Sequence, residues 1–451
     1  MTRHNQTIRS TSMHMAGIAL LFVAAGVAVS TLVSLFNQRV DSVSLLLATV
    51  IVGFAGLLLF TSTKLGKTDQ ASIFTAVGTT WLIVSLFGTI PYLLAGTFSR
   101  TGIGIPEVFV DSLFESVSGF TASGSTVFGA HNPIEMQGSG ILFYRQLTQW
   151  MGGMGIVILV VSVLPSLRAS GLGLIDAEAP GAGVERIAPR VVETAKKFWY
   201  VYLSLTVFIA LALFLFGMGP FDAVSHALTT ASTGGFSTKD SSLGHWNSIK
   251  IEMVVMLGFL LAAINFTLHA RSIEKKRFNY ASDSEFKSFM GLIAVGVLII
   301  TLLLNLEGFS FGTALRNASF NVVTLATSGG YGNALGRGES GDFASWPGST
   351  QLLLLFFIVI GGCTGSTSGG VKIMRFRIGI AHAYRILRSI RRPSALIRAR
   401  MGNKTIPDSL VERVAGFVVI YGILVVSGTF ILTVLGTDLV TSLSASFSAL
   451  G

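Results

Sequence analysis

Ser118-Gly119-Phe120-Thr121-Ala122-Ser123-Gly124-Ser125-Thr126 follows a short apolar run opened by Pro106 and Asp111. The run is too short to cross a bilayer, which takes about 20 apolar residues. The stretch itself is too rich in Ser, Thr and Gly to face lipid. Irregular backbone at membrane depth is tolerated only inside protein or along a water-filled path. The segment therefore reads as a half-helix that enters the membrane and returns as an extended, carbonyl-lined strand. The helix C-terminus directs partial negative charge at the turn, which favours a cation there. A single copy would be no more than an ordinary helix stop.

The stretch recurs. Gly124 follows Asp111 and Ser118, Gly235 follows Asp222 and Thr229, and Gly330 follows Asn317 and Thr324, at the same intervals. A fourth copy, from Val440, matches the first at Val110, Ser112, Leu113, Ser116 and Ser118. Internal repeats set architecture. In this register the fourth glycine falls three positions beyond Gly451. The expectation is that a chain ending at Gly451 lacks one wall and does not conduct selectively alone; a longer protein or a neighbouring chain would complete it.

The 451 residues are 51% hydrophobic and only 12% charged, with mean hydropathy +0.69, against about 25% charged in soluble domains. This is the composition of a polytopic membrane protein. The net charge of +10 would suggest nucleic acid in a soluble chain; here loop topology explains it, and no nucleic-acid partner is expected. The single cysteine, Cys363, excludes an internal disulfide. No removable signal peptide is read at the N-terminus.

Spans are expected over residues 13–36, 43–61, 73–94, 141–164, 198–217, 251–268, 289–304 and 415–435, with a further crossing from Gln351, and re-entrant stretches over 221–237 and 317–332. Arg39 and Asp41 occupy a tight connection; Lys64, Lys67, the mixed-charge linker 166–197 and the cluster Arg271, Lys275, Lys276, Arg277 are placed in the cytoplasm. The fold class is all-α: two leading helices (1–68), then helix–pore-loop–helix repeats over 69–170, 171–278 and 279–400, and a fourth, incomplete, over 401–451, in pseudo-fourfold arrangement.

Four such units around one axis would place their turns in a ring. Rings of backbone carbonyls can replace the hydration shell of a cation. No charged side chain lies within 121–126, 232–237 or 327–332, so backbone and hydroxyls would supply the ligands. The crossing from Gln351 breaks at Gly361-Gly362-Cys363-Thr364-Gly365-Ser366-Thr367-Ser368-Gly369-Gly370. A helix would not choose so many glycines, each costing about 1 kcal/mol against Ala. The segment reads either as a kink or as a flexible loop across the path.

Together with Gln149-Trp150-Met151-Gly152-Gly153-Met154-Gly155, Ser232-Thr233-Gly234-Gly235-Phe236-Ser237 and Ala263-Ile264-Asn265-Phe266, these motifs resemble the Trk/Ktr/HKT superfamily of potassium-translocating subunits. The two leading helices resemble the Trk type. The resemblance implies a multi-pass subunit of the bacterial cytoplasmic (inner) membrane that takes up potassium, carries no covalent cofactor and is no enzyme. It implies a selectivity filter at Ala122, Ser123, Gly124, Ser125, Thr233, Gly234, Gly235, Phe236, Ser328, Gly329, Gly330 and Tyr331. The carbonyls of Ser123, Gly124, Gly234, Gly235, Gly329 and Gly330 would hold K⁺. It also implies a gate at the 361–370 loop, a homodimer, and a cytosolic nucleotide-binding regulatory subunit of the TrkA-like kind.

The competing readings are a Na⁺- or H⁺-coupled cation symporter, an intramembrane enzyme and a non-conducting, truncated subunit. Parallel repeats with every re-entrant stretch on the outer side argue against a moving substrate site. No recurring nucleophile–base set supports an enzyme. The basic segment from Lys372 to Arg400 exceeds what orientation needs and suits a cytosolic partner or anionic lipid. Glu115 would raise cation affinity from behind the first turn, Arg145 would cap the outer end of its span, and His226, His269 and Cys363 read as structural.

Overall fold

A computed structural model describes residues 3–37, 40–66, 70–99, 104–167, 191–278, 280–392, 398–401 and 404–451. Arg39, Lys67 and the linker charges Asp176, Glu178, Glu185, Arg186 and Arg190 lie outside the described residues. Among the described residues, six helical spans are long and apolar enough to cross a membrane: Arg9–Asn37, Ser42–Ser62, Phe74–Leu94, Ala195–Leu215, Ser284–Leu306 and Asp408–Val434. The described residues divide into two compact units, one up to Gly258 and one from Phe259 on.

In the first unit, α1 (Arg3–Asn37) and α2 (Ser42–Ser62) form a hairpin packed on α3 (Gln70–Phe87) and α6 (Ser139–Leu167). Asp41, at the hairpin's turn, is buried. Its Oδ2 accepts the Ile141 N–H at 2.6 Å, and Ser34 donates to Oδ1. A carboxylate there satisfies one of the orphan N–H groups at the start of α6 and complements its dipole. The span expected over 73–94 is present as Phe74–Leu94, with a turn at Gly88-Thr89 that separates α3 from α4 (Ile90–Leu94). Pro91 lacks a helical N–H, and Ser116 and Phe120 of α5 (Ile105–Thr121) occupy the space a Cβ at Gly88 would need. α7 (Val191–Leu215), α8 (Pro220–Ala231) and α9 (Ile249–Ala262) follow, the division into units falling inside α9. Both short helices, α5 and α8, carry Pro in the first turn, where its missing N–H costs nothing.

The second unit holds α10 (Phe266–Lys275), α11 (Ser284–Leu306), α12 (Phe311–Ala326), α13 (Gly348–Ile360), α14 (Ile373–Arg391), α15 (Asp408–Val434) and α16 (Leu439–Leu450). Asp283, Ser310 and Asp438 cap α11, α12 and α16 through side-chain oxygens. A two-stranded antiparallel hairpin, β1 (Arg400–Met401) and β2 (Lys404–Thr405), is a minor departure from the expected all-α class. The larger departure is the span expected over 251–268. α9 and α10 meet at 93° across Ala263-Ile264-Asn265. Asn265 accepts the Thr267 N–H at 2.8 Å, starting a new helix where the old one should continue.

Ser116 of α5 abuts Gly88 of the preceding helical segment; Ser446 of α16, its counterpart in the fourth copy, abuts Gly428 of the preceding α15.

Candidate functional site

The turns after α5, α8 and α12 share one backbone plan. Each helix ends on a left-handed residue that is not glycine: Ala122 (φ 56°), Thr233 (55°) and Ser328 (57°). The next N–H closes back on the helix: Ser123 to the Ser118 carbonyl at 3.1 Å, Gly234 to Thr229 at 2.9 Å, Gly329 to Thr324 at 2.7 Å. This is a Schellman closure. Two residues past the left-handed cap, φ is positive again, at Gly124 (76°), Gly235 (77°) and Gly330 (69°). Only glycine takes that conformation without the 1–2 kcal/mol, roughly, that a Cβ costs.

What holds the returning strand is a polar side chain at one register position. Glu115, His226 and Asn321 each lie nine residues before their glycine, and all three are buried. Thr126 donates to both Glu115 carboxylate oxygens at 3.0 Å, and the Val127 N–H to Oε2 at 3.2 Å. His226 Nδ1 faces the Asp222 carbonyl at 2.8 Å, so it carries the proton, and Nε2 accepts from Ser237 Oγ at 2.9 Å. Asn321 Nδ2 reaches Asn333 Oδ1 at 3.3 Å. Thirteen residues before the glycine, Asp222 accepts from Thr238 at 2.6 Å and Asn317 from Asn333 at 3.0 Å. Six before it, Ser118 donates to the Ser125 carbonyl at 2.5 Å, and Thr324 Oγ1 accepts from the Tyr331 N–H at 2.9 Å.

The helix leaving the first turn braces the second. Gln149 of α6 donates to the Gly234 carbonyl at 2.8 Å and accepts from the Phe236 N–H at 3.0 Å, straddling Gly235. Arg145, read from the sequence as an outer cap of its span, is instead fully buried. Its Nε lies 2.5 Å from Glu115 Oε1, and its Nη1 donates to the Ser237 carbonyl at 2.9 Å. Gly152 and Gly153 let α6 approach both short helices: a Cβ would overlap the Phe120 carbonyl at one and meet Ser232 at 2.9 Å at the other. In the second unit the Phe259 ring fills the space beside Gly329 and lies 5.3 Å from the Tyr331 ring.

The 361–370 segment is non-helical, with positive φ at Gly361, Gly365 and Gly370. Its backbone is tied to the α9–α10 break: the Cys363 N–H donates to the Ala263 carbonyl at 2.9 Å and the Phe266 N–H to the Gly365 carbonyl at 2.9 Å. The buried Glu285 of α11 accepts the Thr364 N–H at 2.8 Å and its hydroxyl at 3.0 Å. Ser328 of the third turn accepts the Gly369 N–H at 2.7 Å. The Lys372 ammonium contacts the Ser368 carbonyl. Cys363 is buried. His269 bonds the Tyr280 hydroxyl at 2.9 Å and the Leu261 carbonyl, which also accepts the Ile264 N–H, at 2.8 Å. Both residues have structural partners, in line with the sequence reading.

In α14, Arg385 pairs with Asp408 and Arg388 lies over the Tyr384 ring at 4.6 Å, whereas Arg391 at its end and Arg392 just past it are exposed. The sequence reading holds Gln149 and Asn265 only as members of motifs, with no role for either, and missed Glu285 and the Arg145–Glu115 link. The signal that could have exposed the anchors was a polar residue nine before each glycine; Glu, His and Asn are chemically unlike, which hid it.

Fold and site define a polytopic helical membrane protein whose buried polar side chains are spent on fixing non-helical backbone. The model of the TrkH family, described as a cation transport protein, matches residues 44–451, and the chain belongs to that family. It is 37% identical over 348 residues to the Trk system potassium uptake protein TrkH of Halomonas elongata, covering 76% of this chain and 68% of that protein. Against the Escherichia coli K12 protein of the same name it is 34% identical over 363 residues, 79% and 71% of the two chains. The crystal structure of the potassium transporter TrkH from Vibrio parahaemolyticus matches with a TM-score of 0.84 at 31% identity, covering 98% of this chain and 90% of that one.

Proposed function

We propose that the protein is the ion-translocating subunit of a Trk-type potassium uptake system in a bacterial cytoplasmic membrane. The observation that carries this is the recurrence of one turn: the same closure, the same two positive-φ positions and the same anchoring register after three different helices. Backbone held so firmly, with no charged side chain in the turn itself, suits carbonyl coordination of a bare cation. The potassium uptake named for the relatives supplies the ion.

In this reading the repeats surround a common path in pseudo-fourfold arrangement, with residues 122–125, 233–236 and 328–331 as the filter. K⁺ meets carbonyls at Ser123, Gly124, Gly234, Gly235, Gly329 and Gly330. Gly234 already accepts from Gln149, so its second lone pair would face the ion. The 361–370 loop gates the path, and its bonds to Glu285, Ser328 and Ala263 keep it shut. The protein works as a homodimer with a cytosolic nucleotide-binding subunit docked on the basic α14 end. Ion flux in liposomes under separate K⁺ and Na⁺ gradients is the test.

A further inference from the structure

We infer that Arg145 is a specificity-determining positioning residue that locks the first and second turns into one unit; the inference rests on the filter reading of those turns. Arg145 and Glu115 are 1% and 0% exposed. Burying an ion pair at membrane depth is costly, and apolar side chains of the same volume would fill the space as well, so the pair calls for a geometric role.

The geometry supplies one. Glu115 binds the strand two and three residues after Gly124, at Thr126 and Val127. Arg145 passes from Glu115 to the carbonyl of Ser237, two residues after Gly235. Its guanidinium lies 3.5 Å from the Phe236 ring centroid and 5.4 Å from that of Phe128. Ser237 then hands the chain to His226, the anchor of its own turn. Thr126, Glu115, Arg145, Ser237 and His226 thus form one continuous link between two turns. Neither strand can move without straining the other. Discrimination by carbonyl ligands depends on their spacing or number, and backbone position fixes both. Lysine could carry the charge but not the planar fork or the stack on Phe236.

The test is the K⁺/Na⁺ permeability ratio of the assembled protein in liposomes, with thermal stability measured on the same preparations. Arg145→Lys should keep K⁺ flux while its ratio falls about tenfold, the equivalent of one lost buried charge-assisted hydrogen bond. Glu115→Gln should fall similarly, and the double variant no further, because both break the same link. Thr126→Val should also lower the ratio; it is the milder change and serves where the pair variants do not fold. Folded Arg145→Lys and Thr126→Val proteins with the wild-type ratio, or additive losses in the double variant, would overturn the inference. Wild-type flux without preference for K⁺ would instead overturn the filter reading, so the two failures separate.

Discussion

Gly124 and Gly330 occupy the same register position with the same backbone sign, yet their surroundings differ. A Cβ on Gly124 would overlap the Gly234 carbonyl oxygen; one on Gly330 would meet nothing within 4 Å. Each substitution carries the backbone cost of a side chain at positive φ, about 1–3 kcal/mol at a constrained site. Only Gly124→Ser adds a collision with a neighbouring turn. The K⁺/Na⁺ permeability ratio is expected to fall about tenfold or more in Gly124→Ser, and less in Gly330→Ser. A wild-type ratio in Gly124→Ser, at normal expression, would remove Gly124 from the filter, and equal falls in the two variants would remove the collision as the cause. The sequence made the glycines legible because a positive-φ turn restricts the residue type. It did not reveal the strain at Ala122, Thr233 and Ser328, since nothing in those residues announces a left-handed conformation. From sequence, Glu115 reads as a carboxylate that raises cation affinity from behind the turn. Its partner Arg145 lies thirty positions away, and spacing alone does not pair them.

At the scale of elements, hydropathy located the helices because a span must be apolar along its length. It failed where a span is broken from outside. The α9–α10 bend follows an apolar run that could have continued; Asn265 and the bonds to Cys363, Gly365 and Thr367 divert it. The 361–370 loop was legible from its glycines, while its anchors on Glu285 and Ser328 were not. If the loop obstructs the path, the open form is a minor population, on the order of 10% or less. Deleting residues 364–368 removes the Glu285 contacts and should raise K⁺ flux by about tenfold without changing the K⁺/Na⁺ ratio. Unchanged or lower flux in folded protein would make the loop structural. The basic helix α14 divides the same way. Arg385 is engaged with Asp408 and Arg388 with Tyr384, so Arg391 and Arg392 are the clean probes of a docking surface. Exposed ion pairs contribute about 0.2–1 kcal/mol each. Replacing both by Gln should weaken binding of the proposed cytosolic subunit by roughly two- to thirtyfold, and the deficit should shrink as salt rises and screens the wild-type attraction. Wild-type affinity at low salt would restrict these arginines to topology or lipid contact.

At the scale of the whole molecule, the buried Glu115, His226 and Asn321 hold the turns and the buried Glu285 holds the loop. Each of the anchored turns sits at the end of a short helix. Potassium selectivity over sodium is the property proposed for this anchored backbone. Its most direct test uses the protein extracted with its native partners and reconstituted into liposomes. Flux is followed under a K⁺ gradient and, separately, under an equal Na⁺ gradient. Flux is expected under the K⁺ gradient and little under Na⁺, with the preference lost in Gly124→Ser; equal flux under both gradients in the wild-type protein, or none under K⁺, would contradict potassium selectivity.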